Sequence, residues 1–374
     1  MKQRLHYFDI LKGIAIFMVV MGHVLTMCVR EIDRATLFKF IGEIHMPLFF
    51  FISGWFTFRL AADGRISTPH LGKRALQLLV PMVAVSSLWI WYFPHSGLQS
   101  PLVSTFSGLW SNAWKNGYWF TLVLFEIMLL YTAMCPVLSR CRTATASLAA
   151  TVAAWIILKL TFSGISAFAG EEFLNATSLI LALQFFPIFM VGAIASRHSD
   201  GFNRLCESGG AFTVSLIAGA FLLYFISWYW EFPLLTGWTY GTVVVSIARI
   251  LFHICLAIVA IAVIRPWSGR VYGADTAEMT SQRRWADMWR LLGRKSLAIY
   301  LLHYFLLFPL GACRDALLSM NLGFTPLLVF SGAVAACVIT IVLGINAIIE
   351  RSPLLALLLT GTVAKPAKSQ VERA

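Results

Sequence analysis

Charged residues are scarce in this chain of 374 residues: Asp, Glu, Lys and Arg make up 12% of it, against 59% hydrophobic residues. A soluble domain carries about 25% charged residues, so the composition excludes an ordinary soluble protein and indicates a polytopic membrane protein. The net charge is +12, yet no basic run interleaved with aromatic residues occurs, which excludes nucleic acid as an expected partner. Internal repeats and low-complexity tracts are also absent from the sequence.

Paired cysteines are missing too. The seven cysteines are scattered, with no Cys-x-x-Cys pair and no histidine at ligand spacing. This pattern argues against a disulfide framework and against structural zinc, and we expect no metal. No small-x-small cleavage site follows the first apolar run before Cys28, so this run is predicted to be a retained helix and not a signal peptide.

Apolar windows of about 20 residues, the length needed to cross a bilayer, recur along the chain. We therefore predict an all-α polytopic membrane protein with about ten membrane helices. The domain boundaries follow as 1–350 for the membrane domain and 351–374 for a cytoplasmic tail. The predicted helices lie near 8–28, 38–60, 75–93, 117–136, 145–162, 179–195, 212–230, 241–264, 291–311 and 327–349.

The basic residues orient these helices. Of the 29 Lys and Arg residues, 21 fall in alternate segments that include both chain ends, and 5 fall in the opposite loops. By the positive-inside rule both termini are predicted to be cytoplasmic, which agrees with an even number of helices. The longest basic loop, at 265–290, is predicted to be cytoplasmic with room for an amphipathic interfacial helix.

The stretch DILKGIAIFMVVMGH places Asp9, Lys12 and His23 in the first predicted helix. Lys12 and His23 are eleven residues apart, so they share one helix face at an axial separation of about 16 Å. Asp9 precedes Lys12 by three residues and can pair with it. For this pair a simple snorkelling lysine with a dipole partner is an equal alternative. A histidine in the outer half of the membrane has no such explanation. A carbonyl of a neighbouring helix is an alternative partner for His23, but the face it shares with Lys12 favours a function.

Other polar residues lie at similar depth. His45 is a second candidate, although it can also cap carbonyl groups that Pro47 frees. Ser53 precedes a glycine and is more simply explained by close helix packing. Further polar residues share helix faces or lie mid-helix, and together they predict a polar interior cavity, because isolated charges in lipid are too costly. These residues are Glu126, Arg249, His253, Ser296, Tyr300 and His303.

The spacing in the first helix suggests a chemistry. A histidine paired with charge suits general acid–base catalysis near neutral pH, and a basic residue at the cytoplasmic mouth suits phosphate binding. A donor with a phosphorylated head and a long thin arm could rest its head at Lys12 and deliver its reactive end to His23. Coenzyme A thioesters have this shape, so the spacing suggests acyl transfer.

The same stretch resembles the first-helix motif of the acyltransferase-3 family of integral membrane acyltransferases, in an Asp-x-x-Lys-Gly-Ile branch similar to bacterial fucose-type sugar O-acetyltransferases. The basic residue and the histidine of that motif fall on Lys12 and His23. Gln77 stands where the family has a second arginine. Later blocks follow in the family's order: HMPLFFFISGW, GKRALQLLVP, GYWFTLVLF, LGRKSLAIYLLH and ERSPLLALLLTG.

The resemblance implies transfer of an acyl group, commonly acetyl, from cytoplasmic acyl-CoA to a hydroxyl of an envelope sugar, glycolipid or polysaccharide, in the bacterial inner membrane. His23 would be the general base or a transient acyl carrier, with His45 and Glu126 orienting it. The implied acetyl-CoA site comprises Asp9, Lys12, Lys73 and Arg74, and the implied acceptor cavity comprises Ser53, Trp119, Arg249, His253, Ser296, Tyr300 and His303.

Two other functions remain open at this point. A secondary transporter or flippase also uses about ten helices and buried charges, but such proteins often show internal pseudo-symmetry, which this sequence lacks. A non-catalytic sensor would leave the histidines unexplained. Membrane lipids are expected partners, and the sequence leaves open whether a second copy of the chain is another.

Overall fold

The computed structural model describes residues 5–28, 36–61, 64–95, 106–112, 114–231, 239–273, 279–307 and 323–362. Regular structure within these ranges is helical, apart from one isolated antiparallel bridge between Leu60 and Ile66, which confirms the all-α prediction. The helices are α1 (His6–Cys28), α2 (Thr36–Thr57), α3 (Leu71–His95), α4 (Phe106–Ser111), α5 (Trp119–Arg140), α6 (Ala144–Thr177), α7 (Leu179–Arg197), α8 (Ser199–Glu207), α9 (Gly209–Glu231), α10 (Thr239–Gly273), α11 (Met279–Arg294), α12 (Ser296–Leu302), α13 (Tyr304–Leu307), α14 (Phe324–Ile349) and α15 (Pro353–Thr360).

Nine helices in the described part of the chain are long and apolar enough to cross a membrane: α1, α2, α3, α5, α6, α7, α9, α10 and α14. A helix needs about 20 apolar residues to cross the hydrocarbon core, and each of these spans 19 residues or more. The chain is therefore a multi-pass membrane protein, as the composition predicts.

The expected helix near 291–311 differs from the structure, which breaks it into pieces. Helix α11 ends at Arg294, α12 starts at Ser296, and a turn at His303 separates α12 from α13. At this turn the Ile299 carbonyl accepts hydrogen bonds from both the backbone N–H and the ring Nδ1 of His303. Residues 308–322, which include the rest of the expected helix, lie outside the described residues.

The chain after α14 contains one further helix. Helix α15 lies inside the segment assigned to the tail, and it packs against α3 and α12. Ser352 caps its first turn by accepting a hydrogen bond from the Leu355 N–H. The domain boundary near 350 stays a prediction, and the tail residues 363–374 lie outside the described residues.

Two close helix crossings hold the core together. Gly13 of α1 faces Gly293 of α11, and a Cβ at either position would collide with backbone atoms of the other helix. Gly54 of α2 and Gly192 of α7 make the same kind of crossing. Small residues at such crossings let helix backbones approach closely, which matters in lipid because the hydrophobic effect does not drive helices together there. Gly13 directly follows Lys12, so the first crossing fixes the position of that charge.

Helices α10 and α11 build the end of the bundle that holds the N-terminus of α1. With 35 residues, α10 is about 52 Å long, well beyond the roughly 30 Å of a hydrocarbon core. Most of α11 lies in the basic segment predicted to hold an interfacial helix. This helix buries Ala286 and Gly293 against the protein and leaves Trp285 exposed.

We expect both ends of the chain to lie in the cytoplasm, because basic residues are retained on that side of the membrane. Fusions of a fluorescent reporter and a periplasmic phosphatase to either end should give fluorescence without phosphatase activity. A fusion truncated after Lys115, in a predicted outer segment, should give the reverse and serves as the control. Phosphatase activity at either chain end would reverse the topology and the side of donor entry.

Candidate functional site

His23 lies in a hydrogen-bonded cluster between α1 and the broken helix at α12 and α13. Its Nδ1 lies 2.7 Å from Nε2 of His303, and the two rings stack nearly parallel. Its other nitrogen, Nε2, lies 2.9 Å from the Tyr304 hydroxyl. His303 is fully buried and Tyr304 is almost so. The structure therefore joins His23 to residues 280 positions away in the chain.

The hydrogen bonds fix the tautomers of both rings when both are neutral. Nδ1 of His303 lies 2.8 Å from the Ile299 carbonyl oxygen, which can only accept, so this nitrogen carries the proton. Nε2 of His303 then accepts from Nδ1–H of His23. This leaves Nε2 of His23 as the basic atom, with the Tyr304 hydroxyl donating to it. The arrangement resembles a histidine base oriented by a third group.

A short turn before α5 frames this cluster. The Tyr300 hydroxyl donates to the Gly117 carbonyl and accepts from the Phe120 N–H at 3.1 Å. Gly117 has a positive φ of 94°, and a Cβ there would collide with the Tyr304 hydroxyl, so a glycine is required. The turn is anchored by Lys115, whose ammonium donates to three carbonyl groups. Burial lowers the pKa of Lys115 to about 8.

Lys12 and Asp9 form an ion pair, with Nζ 2.9 Å from Oδ1. Both side chains line a cavity of about 1110 Å³ at the N-terminal end of α1. Two further cations reach the same cavity, Arg59 from the segment after α2 and Arg265 from α10. Three cations against one carboxylate make the cavity suited to an anionic ligand, since phosphate groups pair well with Arg and Lys.

Sequence reasoning missed Arg59 and Arg265 in this cavity. It chose Lys73 and Arg74 of α3 instead, and the described residues that line the cavity do not include them. Arg74 donates from Nη1 to Gln77 Oε1 at 3.1 Å and lies within electrostatic reach of Arg59. Arg59 follows the apolar run of α2 and is one of the basic residues that orient the helices in the membrane. Its position in the sequence therefore indicates the side of the membrane on which it lies, but it does not indicate that Arg59 lines this cavity.

A second polar cluster joins α2 to α10. Arg249 Nε lies 2.9 Å from Glu43 Oε1, and His253 Nε2 lies 3.3 Å from Glu43 Oε2. Arg249 and His253 lie four residues apart on one face, as the sequence indicates, and each meets the same carboxylate. Glu43 itself was missed, although a buried Arg and His on one face require an acidic partner. The cluster closes an internal ion pair within the bundle.

The remaining sequence candidates lie in several places. His45 bonds through Nδ1 to the Ile41 carbonyl, whereas the carbonyl that Pro47 leaves without its helical donor is that of Glu43. His45 also lies within electrostatic reach of His23. Ser53 adjoins the close crossing at Gly54.

Glu126, Trp119 and Ser296 lie on other elements. Glu126 interacts electrostatically with Lys115, and its buried Oε2 has no hydrogen-bond partner among the described residues. Trp119 is buried and stacks on Phe185 at 5.5 Å. Ser296 begins α12. The structure thus joins His23 directly to His303 and Tyr304, and it places these three candidates apart from that hydrogen-bonded cluster.

No group of three or more His, Cys, Asp or Glu side chains with metal-site geometry occurs in the described part of the chain. The side chains of His23, His303 and Tyr304 offer imidazole and phenol groups, which can exchange protons at His23 Nε2.

Comparison with known proteins supplies the family. The model of the family described as Acyltransferase domain matches residues 5–345, which covers nearly the whole chain. This match bears out the resemblance noted in the sequence. No solved structure matches the chain.

Two curated relatives match a part of the chain. Nodulation protein NolL of Sinorhizobium fredii (strain NBRC 101917 / NGR234) is 35% identical over 135 residues, covering 33% of this chain and 34% of the relative. Nodulation protein NolL of Mesorhizobium japonicum (strain LMG 29417 / CECT 9101 / MAFF 303099) is 34% identical over 133 residues, with the same coverage. The chain matches about a third of the length of these relatives.

Proposed function

The chain belongs to the acyltransferase-3 family, and on that premise we propose that it is an O-acetyltransferase of the bacterial inner membrane. The donor is acetyl-CoA, or another acyl-CoA, on the cytoplasmic side, and the acceptor is a hydroxyl of an envelope sugar, glycolipid or polysaccharide. The observation that carries this proposal is the basic Nε2 of His23, oriented through Nδ1 by His303 and placed about 16 Å along α1 from the cationic cavity at Lys12.

His23 performs the proton transfer in this scheme. Nε2 takes the proton of the acceptor hydroxyl, the sugar oxygen bonds to the acyl carbon, and the carbon–sulfur bond of the thioester breaks to release the CoA thiolate. The Nδ1–H of the resulting imidazolium keeps its hydrogen bond to His303 Nε2, which stabilises the charge. The Tyr304 hydroxyl occupies Nε2 at rest, so it must yield to the acceptor hydroxyl or relay its proton.

His23 as a transient acyl carrier is the second route. In that route Nε2 bonds to the acyl carbon first and the CoA thiolate leaves. The sugar oxygen then bonds to the acyl carbon, the bond from Nε2 to that carbon breaks, and the hydroxyl proton passes to the thiolate. The same lone pair serves both routes. Rapid quenching with acetyl-CoA and no acceptor separates them, because the carrier route leaves an acetyl group on His23 that hydroxylamine removes.

Lys12 is expected to hold a phosphate of the donor. Lys12→Ala should weaken acetyl-CoA binding by about 1.5–3 kcal/mol, the worth of a hydrogen bond to a charged group, and Lys12→Arg should keep much of the affinity. Binding isotherms with each purified variant measure this. Lys159→Ala, which removes a lysine of α6 that does not line the cavity, is the matched control.

A purely structural Lys12 predicts a different result. Lys12→Ala would then lower the melting temperature by removing the cation that pairs with the buried Asp9 carboxylate, and neutralising both residues together would restore stability, donor binding and turnover. If the double variant behaves like the parent protein, Lys12 does not bind the donor.

The transporter or flippase alternative is tested with labelled substrates. Incubating purified protein with labelled acetyl-CoA and envelope glycan should transfer label covalently to the glycan. Movement of an intact glycan or glycolipid across proteoliposomes, without covalent label, would support transport and refute the proposal.

A further inference from the structure

A second cavity adjoins the cationic one at the N-terminal end of α1. Its volume is about 510 Å³, and it shares Leu5, Tyr7 and Arg265 with the larger cavity. Arg265 therefore stands at the boundary between the two. A ligand with two unlike parts joined by phosphate could occupy both cavities with its phosphate at this residue.

The guanidinium of Arg265 is incompletely satisfied. Nη1 lies 3.1 Å from Oε1 of Glu207, but the two atoms do not meet hydrogen-bond geometry, and this buried Nη1 has no hydrogen-bond partner among the described residues. Glu207 is 63% exposed, so the ion pair is largely screened by water and contributes little. A guanidinium offers five N–H donors in a planar fork that matches a phosphate. Arg265 thus keeps N–H donors for an anion.

The smaller cavity has a rigid aromatic wall. The rings of His6 and Tyr272 lie 4.8 Å apart and both line it. The Tyr272 hydroxyl donates to Asp287 at 2.9 Å, and the Arg290 guanidinium lies 4.7 Å from the centre of the Tyr272 ring, so the wall is preorganised. Ile261, Ala262 and Pro266 add apolar lining to this cavity, and Ser268 and Glu207 add polar lining. A heteroaromatic ring with polar substituents suits such a lining.

The larger cavity has the features expected for the rest of such a ligand. Lys12 and Arg59 supply positive charge beyond Arg265, and Trp55, Phe56 and Phe58 supply apolar surface. Asn203 of α8 lines this cavity with a buried Oδ1 that has no hydrogen-bond partner among the described residues. A buried acceptor without a donor is costly, so an amide N–H of a bound ligand would stabilise it.

We infer that the smaller cavity binds the nucleotide head of the acyl-CoA donor, and that Arg265 contacts a donor phosphate where the head joins the pantetheine arm in the larger cavity. This inference rests on the proposed function. It makes Arg265 a donor-binding residue that discriminates CoA thioesters from thioesters that lack a nucleotide.

Fragments of the donor test this assignment. Adenosine 3′,5′-bisphosphate carries the nucleotide head without the arm, and S-acetylpantetheine carries the arm without the nucleotide. Arg265→Ala should weaken binding of adenosine 3′,5′-bisphosphate about 10- to 100-fold, as expected for a lost charge-assisted contact, and should leave S-acetylpantetheine binding within about twofold. Arg265→Lys should fall between parent and alanine variant, because it keeps the charge and loses the fork.

Arg270→Ala is the matched control, since Arg270 is an exposed arginine of the same helix that lines neither cavity. It should bind both fragments like the parent. A phospholipid headgroup is the other source of phosphate, so each isotherm is repeated in nanodiscs with and without phosphatidylglycerol. If the parent binds adenosine 3′,5′-bisphosphate with the same affinity with and without phosphatidylglycerol, the inference is supported. If phosphatidylglycerol displaces the nucleotide at Arg265, the inference is overturned in favour of a lipid site.

The outcomes separate the inference from the proposed function. If the parent transfers acetyl from acetyl-CoA but Arg265→Ala binds adenosine 3′,5′-bisphosphate normally, the inference is wrong and the function stands. If Arg265→Ala weakens both fragments equally, the residue supports the cavity as a whole and the inference is also wrong. If the parent neither binds acetyl-CoA nor transfers acetyl, the proposed function fails first.

Discussion

Replacing His23 by alanine should reduce acyl transfer by at least the factor of about 10²–10⁴ that general base catalysis contributes, while acetyl-CoA affinity stays nearly unchanged. The reason is geometric: His23 offers the basic Nε2, whereas Lys12, which we propose binds a donor phosphate, lies about 16 Å away along α1. Turnover with labelled acetyl-CoA and donor isotherms on the same purified protein measure the two effects separately.

His70→Ala is the matched control, because His70 is an exposed histidine in the segment before α3. It should keep the parent's turnover. His303→Ala should lower turnover less than His23→Ala, since it removes the group that orients His23 and leaves the base itself. A well-folded His23→Ala protein with near-normal turnover would remove His23 from the chemistry.

The second large effect is structural and concerns Gly13. Gly13→Ala should destabilise the protein by about 3 kcal/mol or more, because the new Cβ would meet the Trp289 carbonyl and the backbone of Gly293, and backbone atoms cannot move aside as side chains do. The clash pushes α11 away from α1 beside Lys12, so acetyl-CoA binding should fall as well. Thermal unfolding in detergent and donor isotherms measure both changes.

Gly42→Ala provides the control for this substitution. A Cβ at Gly42 would meet no atom within 4 Å, and Gly42 lies within a helix as Gly13 does. Alanine there should be neutral or slightly stabilising, because glycine loses more conformational freedom on folding. If Gly13→Ala has the same melting temperature and acetyl-CoA affinity as Gly42→Ala, the close crossing does not hold the N-terminal end of α1 in place.

The membrane helices could be predicted from the sequence, because each is encoded by a local run of apolar residues. The Asp9–Lys12 pair could be predicted for a similar reason, since residues three apart on a helix are neighbours. The role of Gly13 in the same motif could not be predicted. A side chain cannot fit at Gly13 because the backbone at Gly293 lies against it, and Gly293 is on a helix far along the chain.

Apart from the Asp9–Lys12 pair, the partners of the charged and titratable residues could not be predicted, because they lie on distant segments. Sequence spacing put His303 on one side of a helix with Tyr300, but it did not indicate that His303 would meet His23. Tyr304 was missed although it follows His303 directly, because the turn at His303 brings both side chains to one ring. Similarly, Glu43 and Arg265 gain their significance only from helix packing.

Chemical identification of the product is the sharpest test of acyl transfer to a sugar hydroxyl at His23. Parent protein and His23→Ala, purified in parallel, are incubated with labelled acetyl-CoA and envelope glycan, and the recovered glycan is analysed by mass spectrometry. We predict an ester-linked acetyl group on the glycan from the parent alone, removable by mild alkali together with the label. Two results would contradict acyl transfer at His23. The glycan could carry no acetyl ester after incubation with an active parent preparation, or it could be acetylated equally by the parent and by His23→Ala.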